Sequence, residues 1–246
     1  MSRVHPAAFE GFARSAAEYE RGRPGYPPAA VEFLASRLRL GPGRTAVDLA
    51  AGTGKLTRPL LGTGAEVIAV EPVAEMRAAL PAAARALEGT AEAIPLPAAV
   101  ADAVTVAQAF HWFDSDTALA EIHRVLRPGG ALALVWNRWR LDDPLNRAVE
   151  EVIAGHRGNT PTHRTNVWRA VFERSDLFGP LEKRVFPNEQ SLDADGLADR
   201  VASISFIASL DEAERADVLR AVRALAGADR VLVPHDTEVY VSERLG

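Results

Sequence analysis

The chain has 246 residues, 48% hydrophobic and 25% charged, with a formal net charge of −5 at pH 7 and no cysteine. That composition is ordinary for a globular protein able to bury a core without staples. The charge argues against a nucleic-acid-coating role, and the missing cysteines exclude disulfides, thiolate zinc sites and cysteine nucleophiles. No run approaches the roughly 20 apolar residues of a membrane span. The opening "MSRVHPAAFEGFARSAAEYERGRPGYP" has no apolar stretch of signal-peptide type, so a cytoplasmic enzyme that binds neither membrane nor nucleic acid is expected. Only Lys55 and Lys183 among the 28 basic residues are lysine; the arginine excess reads as coding bias, not as a binding surface.

After a polar arm, Pro28–Leu38 is expected to be a helix with Val31, Leu34 and Leu38 on one face. Strands and helices then alternate. Ala46–Ala50 reads as a strand and Lys55–Leu61 as a helix. Ala65–Pro72 reads as a strand and Val73–Ala84 as a helix interrupted late by Pro81, with a short strand at Arg85–Gly89. Ala101–Phe110 is a buried strand and Ser115–Leu126 a helix, with Asp114 as its N-cap. "RPGG" (Arg127–Gly130) stops that helix, and Ala131–Asn137 is another buried strand. Beyond it, Asp143–Arg157, Thr165–Arg174, Asp195–Ser205 and Asp211–Leu225 look helical. "LEKRVFPNEQ" holds a strand, and His235–Arg244 a final one. Repeated strand–helix units imply a doubly wound, mostly parallel α/β sheet covered on both faces, with ligands at the carboxyl ends of its strands. With no repeat or linker visible, a single domain is expected.

The chemistry concentrates in "AVDLAAGTGKLTRPLL" (Ala46–Leu61), a strand, a glycine turn and a helix start. A P-loop needs four residues between its glycines and then Gly-Lys-Ser/Thr; Gly54-Lys55-Leu56 fails that pattern. The dinucleotide fingerprint wants Gly or Ala where Thr57 stands, which disfavours a pyrophosphate cradle. What remains is Asp48-x-Ala50-x-Gly52-x-Gly54, with Glu71 ending the next strand, 19 residues beyond Gly52. A carboxylate there can accept both hydroxyls of a ribose. A nucleoside without phosphate, S-adenosylmethionine, fits these features.

These residues resemble the class I S-adenosylmethionine-dependent methyltransferases, and within them the trans-aconitate methyltransferase-like small-molecule group. The resemblance is carried by "YERGRPGYP", "VDLAAGTGKLT", "VIAVEP", "GTAEAIPLP", "VTVAQAFHWFD" and "VLRPGGALALVWN", in the family's order over roughly residues 12–140. It implies a Rossmann-like seven-stranded sheet whose last strand is antiparallel, with a helical insertion at 141–181. It implies that Gly52, Thr53 and Gly54 pass beside the methionine portion of the cofactor and that Asp48 binds near its amino group, directly or through water. Glu71 would hold the ribose, with Pro72 and Met76 against the adenine and Thr90, Ala91 and Glu92 at its edge. Gln108 and Ala109 would sit below the sulfonium. Tyr19 and Arg23 belong to an arm that closes over the cofactor, Arg23 facing a carboxylate. His111, Trp112, Phe113 and Trp139 would face the acceptor, His111 as base or as substrate orienter.

Two departures stand out. The family usually has glycine at Ala50; a methyl is harmless there unless φ is positive, in which case binding weakens. Many relatives carry aspartate at Thr90. The remaining histidines (His5, His123, His156, His163, His235) show no metal-ligand spacing, and no metal is expected. The expected reaction is methyl transfer to a small-molecule acceptor, yielding S-adenosylhomocysteine, by a monomer or a homodimer. A non-catalytic S-adenosylmethionine-binding protein and an NAD(P)-dependent oxidoreductase remain alternatives.

Overall fold

Near-continuous apolar strands such as "AVTVA" and "VIAV" can bury both faces, and the amphipathic segments between them supply the covers. The computed structural model, which describes residues 16–246 with side chains from Tyr19 onward, forms one seven-stranded sheet from them. The expectations placed on residues 1–15, the outer part of the arm, lie outside the described residues. The strands are β1 (Thr45–Leu49), β2 (Glu66–Val70), β3 (Arg85–Leu87), β4 (Ala101–Ala107), β5 (Leu126–Trp139), β6 (Glu182–Leu192) and β7 (Val231–Glu243). Their spatial order is β3-β2-β1-β4-β5-β7-β6. Strands β1 to β5 pair in parallel, while β7 lies antiparallel between β5 and β6. The final strand is therefore the reversed one, as the family resemblance implies, and it begins four residues earlier than His235.

The helices are α1 (Ala16–Gly22), α2 (Pro28–Arg37), α3 (Thr57–Leu61), α4 (Ala74–Ala78), α5 (Ser115–Val125), α6 (Pro144–Ile153), α7 (Ala170–Arg174), α8 (Ala194–Ala202), α9 (Ser205–Ala208) and α10 (Glu212–Ala226). On one face of the sheet, Val47, Leu49, Val104 and Leu132 pack on Leu119 and Ile122 of α5. On the other, the smaller Ala103, Ala131 and Ala133 let α2 and α3 approach through Leu34 and Leu60. A third apolar cluster joins Trp139, Val149, Ile153, Leu197, Val201 and Val222 over the ends of β5 and β7. The helical cap is thus shared between α6 and the distant α8–α10, and not confined to 141–181.

Local differences have local causes. Helix α4 ends at Ala78, well before Ala84, because Pro81 cannot donate to the helix ladder. "RPGG" is not a free turn but part of β5: the partner of Ala101 is Leu126 and that of Ala103 is Ala131, so the surplus residues bulge out within the strand. Asp114 precedes α5 without a side-chain cap bond; its backbone N–H donates to Glu92 instead (3.1 Å). Asp143 does cap α6, accepting from the Asn146 N–H at 2.9 Å with Pro144 at the first helical position. Among the described residues no helix is long and apolar enough to cross a membrane.

Candidate active site

At the carboxyl ends of β1, β2, β4 and β5 the chain leaves the sheet, and a cavity of about 200 Å³ opens there. Strand β1 runs into the turn Ala50–Gly54. The Gly54 backbone has φ +87°, and a Cβ at that position would lie 2.8 Å from Pro81 Cδ, so only glycine fits. Ala50, Gly52 and Gln108 line the cavity in left-handed conformation, at φ +55°, +58° and +62°. For Ala50 and Gln108 this is strain of about 1–2 kcal/mol each. The positive φ at Ala50 meets the condition under which its methyl costs cofactor affinity. Ala50→Gly should raise stability by about 1 kcal/mol, or about 2–4 °C in Tm, and tighten cofactor binding, as thermal denaturation and calorimetry would show.

Glu71, 5% exposed, directly follows β2 and faces the glycine turn. Its Oε2 accepts the Gly52 N–H at 2.8 Å and its Oε1 the Val73 N–H at 2.9 Å. Burial raises its pKa, and the two backbone bonds oppose the rise. Each oxygen keeps one lone-pair direction for a further donor, which is what a vicinal diol requires. Met76 completes this end of the cavity.

Asp48 lies behind the turn, outside the cavity wall. Its Oδ2 accepts from Thr57 Oγ1 at 2.6 Å and its Oδ1 from Thr105 Oγ1 at 3.0 Å. Thr57, in sequence only a mismatch to the dinucleotide fingerprint, is the partner of this acid. Burial pushes the Asp48 carboxyl up to about 6 from 3.8, against the pull of the two hydroxyls and with Glu71 adding to the rise. A folded pKa above the unfolded one means stability that is fully present below pH 3.8 and lost as pH rises to about 6, on the order of 3 kcal/mol. Asp48→Asn should flatten stability against pH in that window, measured by urea unfolding at several pH values.

The arm forms a third wall. Tyr19 stands over the turn, its Cε1 4.0 Å from where a Gly52 Cβ would be, and Arg23 stacks on the Tyr19 ring at 5.3 Å. Arg23 donates to Ser203 Oγ and Ser203 O, both at 2.9 Å, and Arg21 to Asp199 at 2.6 Å. Glu20 clips the arm to the turn, accepting from Thr53 Oγ1 and, through its carbonyl, from Lys55 Nζ, both at 2.6 Å. Gly22 packs so closely on α8 that a Cβ would collide with the backbone of Asp199 and Arg200.

Beyond β4, Gln108, Ala109, His111, Trp112 and Trp139 line the opposite end. The indole N–H of Trp136 points at His111 Nδ1 from 3.4 Å. An indole can only donate, so Nδ1 is the bare nitrogen and Nε2 carries the proton. Burial, with His163 and Arg23 nearby, holds the His111 pKa down to about 3. His111 is a neutral N–H donor, so of its two expected roles the geometry favours orienter over base.

Eleven of the expected residues therefore share one cavity: Tyr19, Arg23, Ala50, Gly52, Glu71, Met76, Gln108, Ala109, His111, Trp112 and Trp139. Thr53, Gly54, Pro72, Thr90, Ala91 and Glu92 are not among its lining residues. Thr53 holds Glu20, the Pro72 carbonyl accepts from Arg77 at 3.1 Å, and Thr90 bridges to Ala93. Phe113 turns to a neighbouring cavity beside Trp168. Asn137, Glu150, His163 and Arg200 also line the main cavity, unforeseen from sequence. Arg200 had a signal: it falls between Leu197 and Val201 on the buried face of an amphipathic helix, where a charge is out of place.

Comparison with known proteins agrees with this architecture. The profile described as "Methyltransferase domain" matches residues 47–134. An uncharacterized methyltransferase of Mycobacterium tuberculosis is 39% identical over 239 residues, 92% of each chain, and one of Schizosaccharomyces pombe is 30% identical over 95% of each. Among solved structures, one from Anaeromyxobacter dehalogenans assigned to the type II methyltransferases aligns with a TM-score of 0.66 and 25% identity. That alignment covers 90% of this chain and 97% of the other. With the sheet order, the glycine turn and relatives of this similarity along nearly the whole length, the chain belongs to the class I S-adenosylmethionine-dependent methyltransferases.

Proposed function

We propose that the cavity binds S-adenosylmethionine and presents its methyl group to a small-molecule acceptor. The observation that carries this reading is Glu71: a buried carboxylate with one open lone pair per oxygen, fixed by backbone N–H groups opposite the glycine turn. The ribose hydroxyls would donate to it, the adenine would lie toward Met76, and the methionine portion would run along Gly52 toward Arg23. When bound, the cofactor supplies an electrophilic methyl on a sulfonium, which needs no metal.

The chain's own contribution is positioning and exclusion of water. Trp112 and Trp139 wall the acceptor end, the docked arm closes the cofactor end, and the His111 Nε2–H donates to an oxygen of the acceptor. Nothing in this arrangement requires His111 to take a proton. Calorimetric titration with S-adenosylmethionine and S-adenosylhomocysteine tests the reading. Saturable binding of both supports it, while tighter binding of NADH than of either would replace it with the oxidoreductase alternative.

A further inference from the structure

Arginine is the commonest cation of this chain, and nearly every buried or half-buried one has an oxygen partner. Arg157 and Arg164 share Glu150 at 2.6 and 3.1 Å. Arg23 is held by Ser203. Arg200 differs. It is 4% exposed, it lines the cavity, and its Nε and Nη1 have no hydrogen-bond partner among the described residues. No carboxylate of the described residues lies within salt-bridge distance of it. Its guanidinium stacks on Trp139, 5.0 Å from the ring centroid, and the Trp139 Nε1–H is likewise buried without an acceptor.

A buried, unpaired guanidinium is among the more destabilising things a core can hold. Burial pushes its pKa well down, and Arg23 adds to that effect. The arrangement becomes favourable when an anion enters the cavity, because Arg offers a planar fork of donors matched to a carboxylate or phosphate.

Position decides which anion. The cofactor's own carboxylate belongs with Arg23, which stacks on Tyr19 above Gly52 at the end of β1. Arg200 packs its backbone against Gly22 of the arm, but its guanidinium stacks on Trp139, the last residue of β5, on the other side of β4 from β1. The lining of the same cavity includes the apolar Trp112, Ile153, Ile204 and Phe206 beside polar groups such as Asn137, Glu150 and Ser205. We propose that Arg200 is the acceptor-recognition residue, and that the acceptor is a small organic anion with one anionic head group and an apolar body. The head group would sit on the Arg200 fork and accept from Trp139 Nε1–H, with the body against those apolar lining residues. This inference rests on the cofactor reading above.

The test uses the intact chain and its Arg200→Met and Arg200→Lys variants. Each is first titrated with S-adenosylhomocysteine and with 5′-methylthioadenosine, which lacks the amino-acid portion. The cofactor-loaded protein is then titrated with benzoate, phenylacetate, octanoate and phenyl phosphate, and with the uncharged amides of the three acids. At least one carboxylate or the phosphate should bind tenfold or more tighter than the amides, and the pair of head groups tells which anion is read. Arg200→Met should abolish that preference and raise Tm by about 2–4 °C, because it removes an unpaired buried charge while keeping the bulk. Arg200→Lys should keep a weakened preference. A lower Tm in Arg200→Met together with no anion preference in the wild type would make Arg200 a structural residue and overturn the proposal. So would a loss in Arg200→Met of S-adenosylhomocysteine affinity without loss of methylthioadenosine affinity, which would assign Arg200 to the cofactor. Failure of the wild type to bind either nucleoside would instead sink the cofactor reading, and the Tm response of Arg200→Met would still report on the unpaired charge.

Discussion

Glu71→Gln should weaken S-adenosylhomocysteine binding by about 10- to 150-fold. A hydrogen bond to a charged group contributes about 1.5–3 kcal/mol, and 1.4 kcal/mol is a factor of ten. The amide removes the charge and turns one acceptor into a donor. That donor then opposes either the Gly52 N–H or the Val73 N–H, both of which now bond the carboxylate. Some of the loss is therefore distortion of the turn, and a ligand lacking the ribose hydroxyls separates the two causes. If Glu71 reads the diol, the 2′,3′-dideoxy ligand binds wild type and Glu71→Gln with nearly equal, weak affinity, and the double-mutant cycle shows strong coupling. Equal losses for both ligands would mean that Glu71 only shapes the turn.

The second large effect is expected in the arm. Gly22→Ala places a methyl group in the backbone of α8, and the arm has no way to dock with it. The bonds from Arg21 to Asp199, from Arg23 to Ser203 and from Gln190 to the Gly22 carbonyl all depend on that approach. Tyr19 and Arg23 would leave the cavity wall, and S-adenosylhomocysteine affinity should fall by about 10- to 100-fold. Trypsin supplies an independent readout. It cuts after Arg21 only when the arm is undocked, and Arg23 is protected by Pro24 in either state. Faster cleavage after Arg21 in Gly22→Ala, at an unchanged Tm, places the defect in the arm; unchanged cleavage would mean that α8 gives way instead.

The parts of the site that sequence displays are those written within one strand–turn–helix unit. Gly52, Gly54 and Glu71 are set by the two- and 3.6-residue periods that fix β1, α3 and β2, and by a spacing that places Glu71 opposite the turn. The last strand shows itself through the alternation of Val239 and Val241, and its reversed direction only through the family resemblance. What sequence hides is the return of the chain. Arg23 meets Ser203 across 180 positions and Asn137 meets Gly25 across 112, and no local period encodes either. Asp48 illustrates a different blindness. Its position in the motif suggests a ligand contact, yet it stands behind the cavity lining, bonded to Thr57 and Thr105, and only the packed structure shows that. "RPGG" has the composition of a turn, and it is the pairing of Ala101 and Ala103 with β5 that draws it into a strand.

The docked arm has a kinetic meaning. Thr53 and Lys55 hold it from the turn through Glu20, while Asp199 and Ser203 hold it from α8. On the proposed reading, a nucleoside held behind Tyr19 and Arg23 would leave no faster than that set of contacts opens. Residence time, and not affinity alone, then becomes a property of the arm. Product would outlast substrate whenever its departure waits on the same opening, and turnover would slow with solvent viscosity even though the chemistry happens across the sheet.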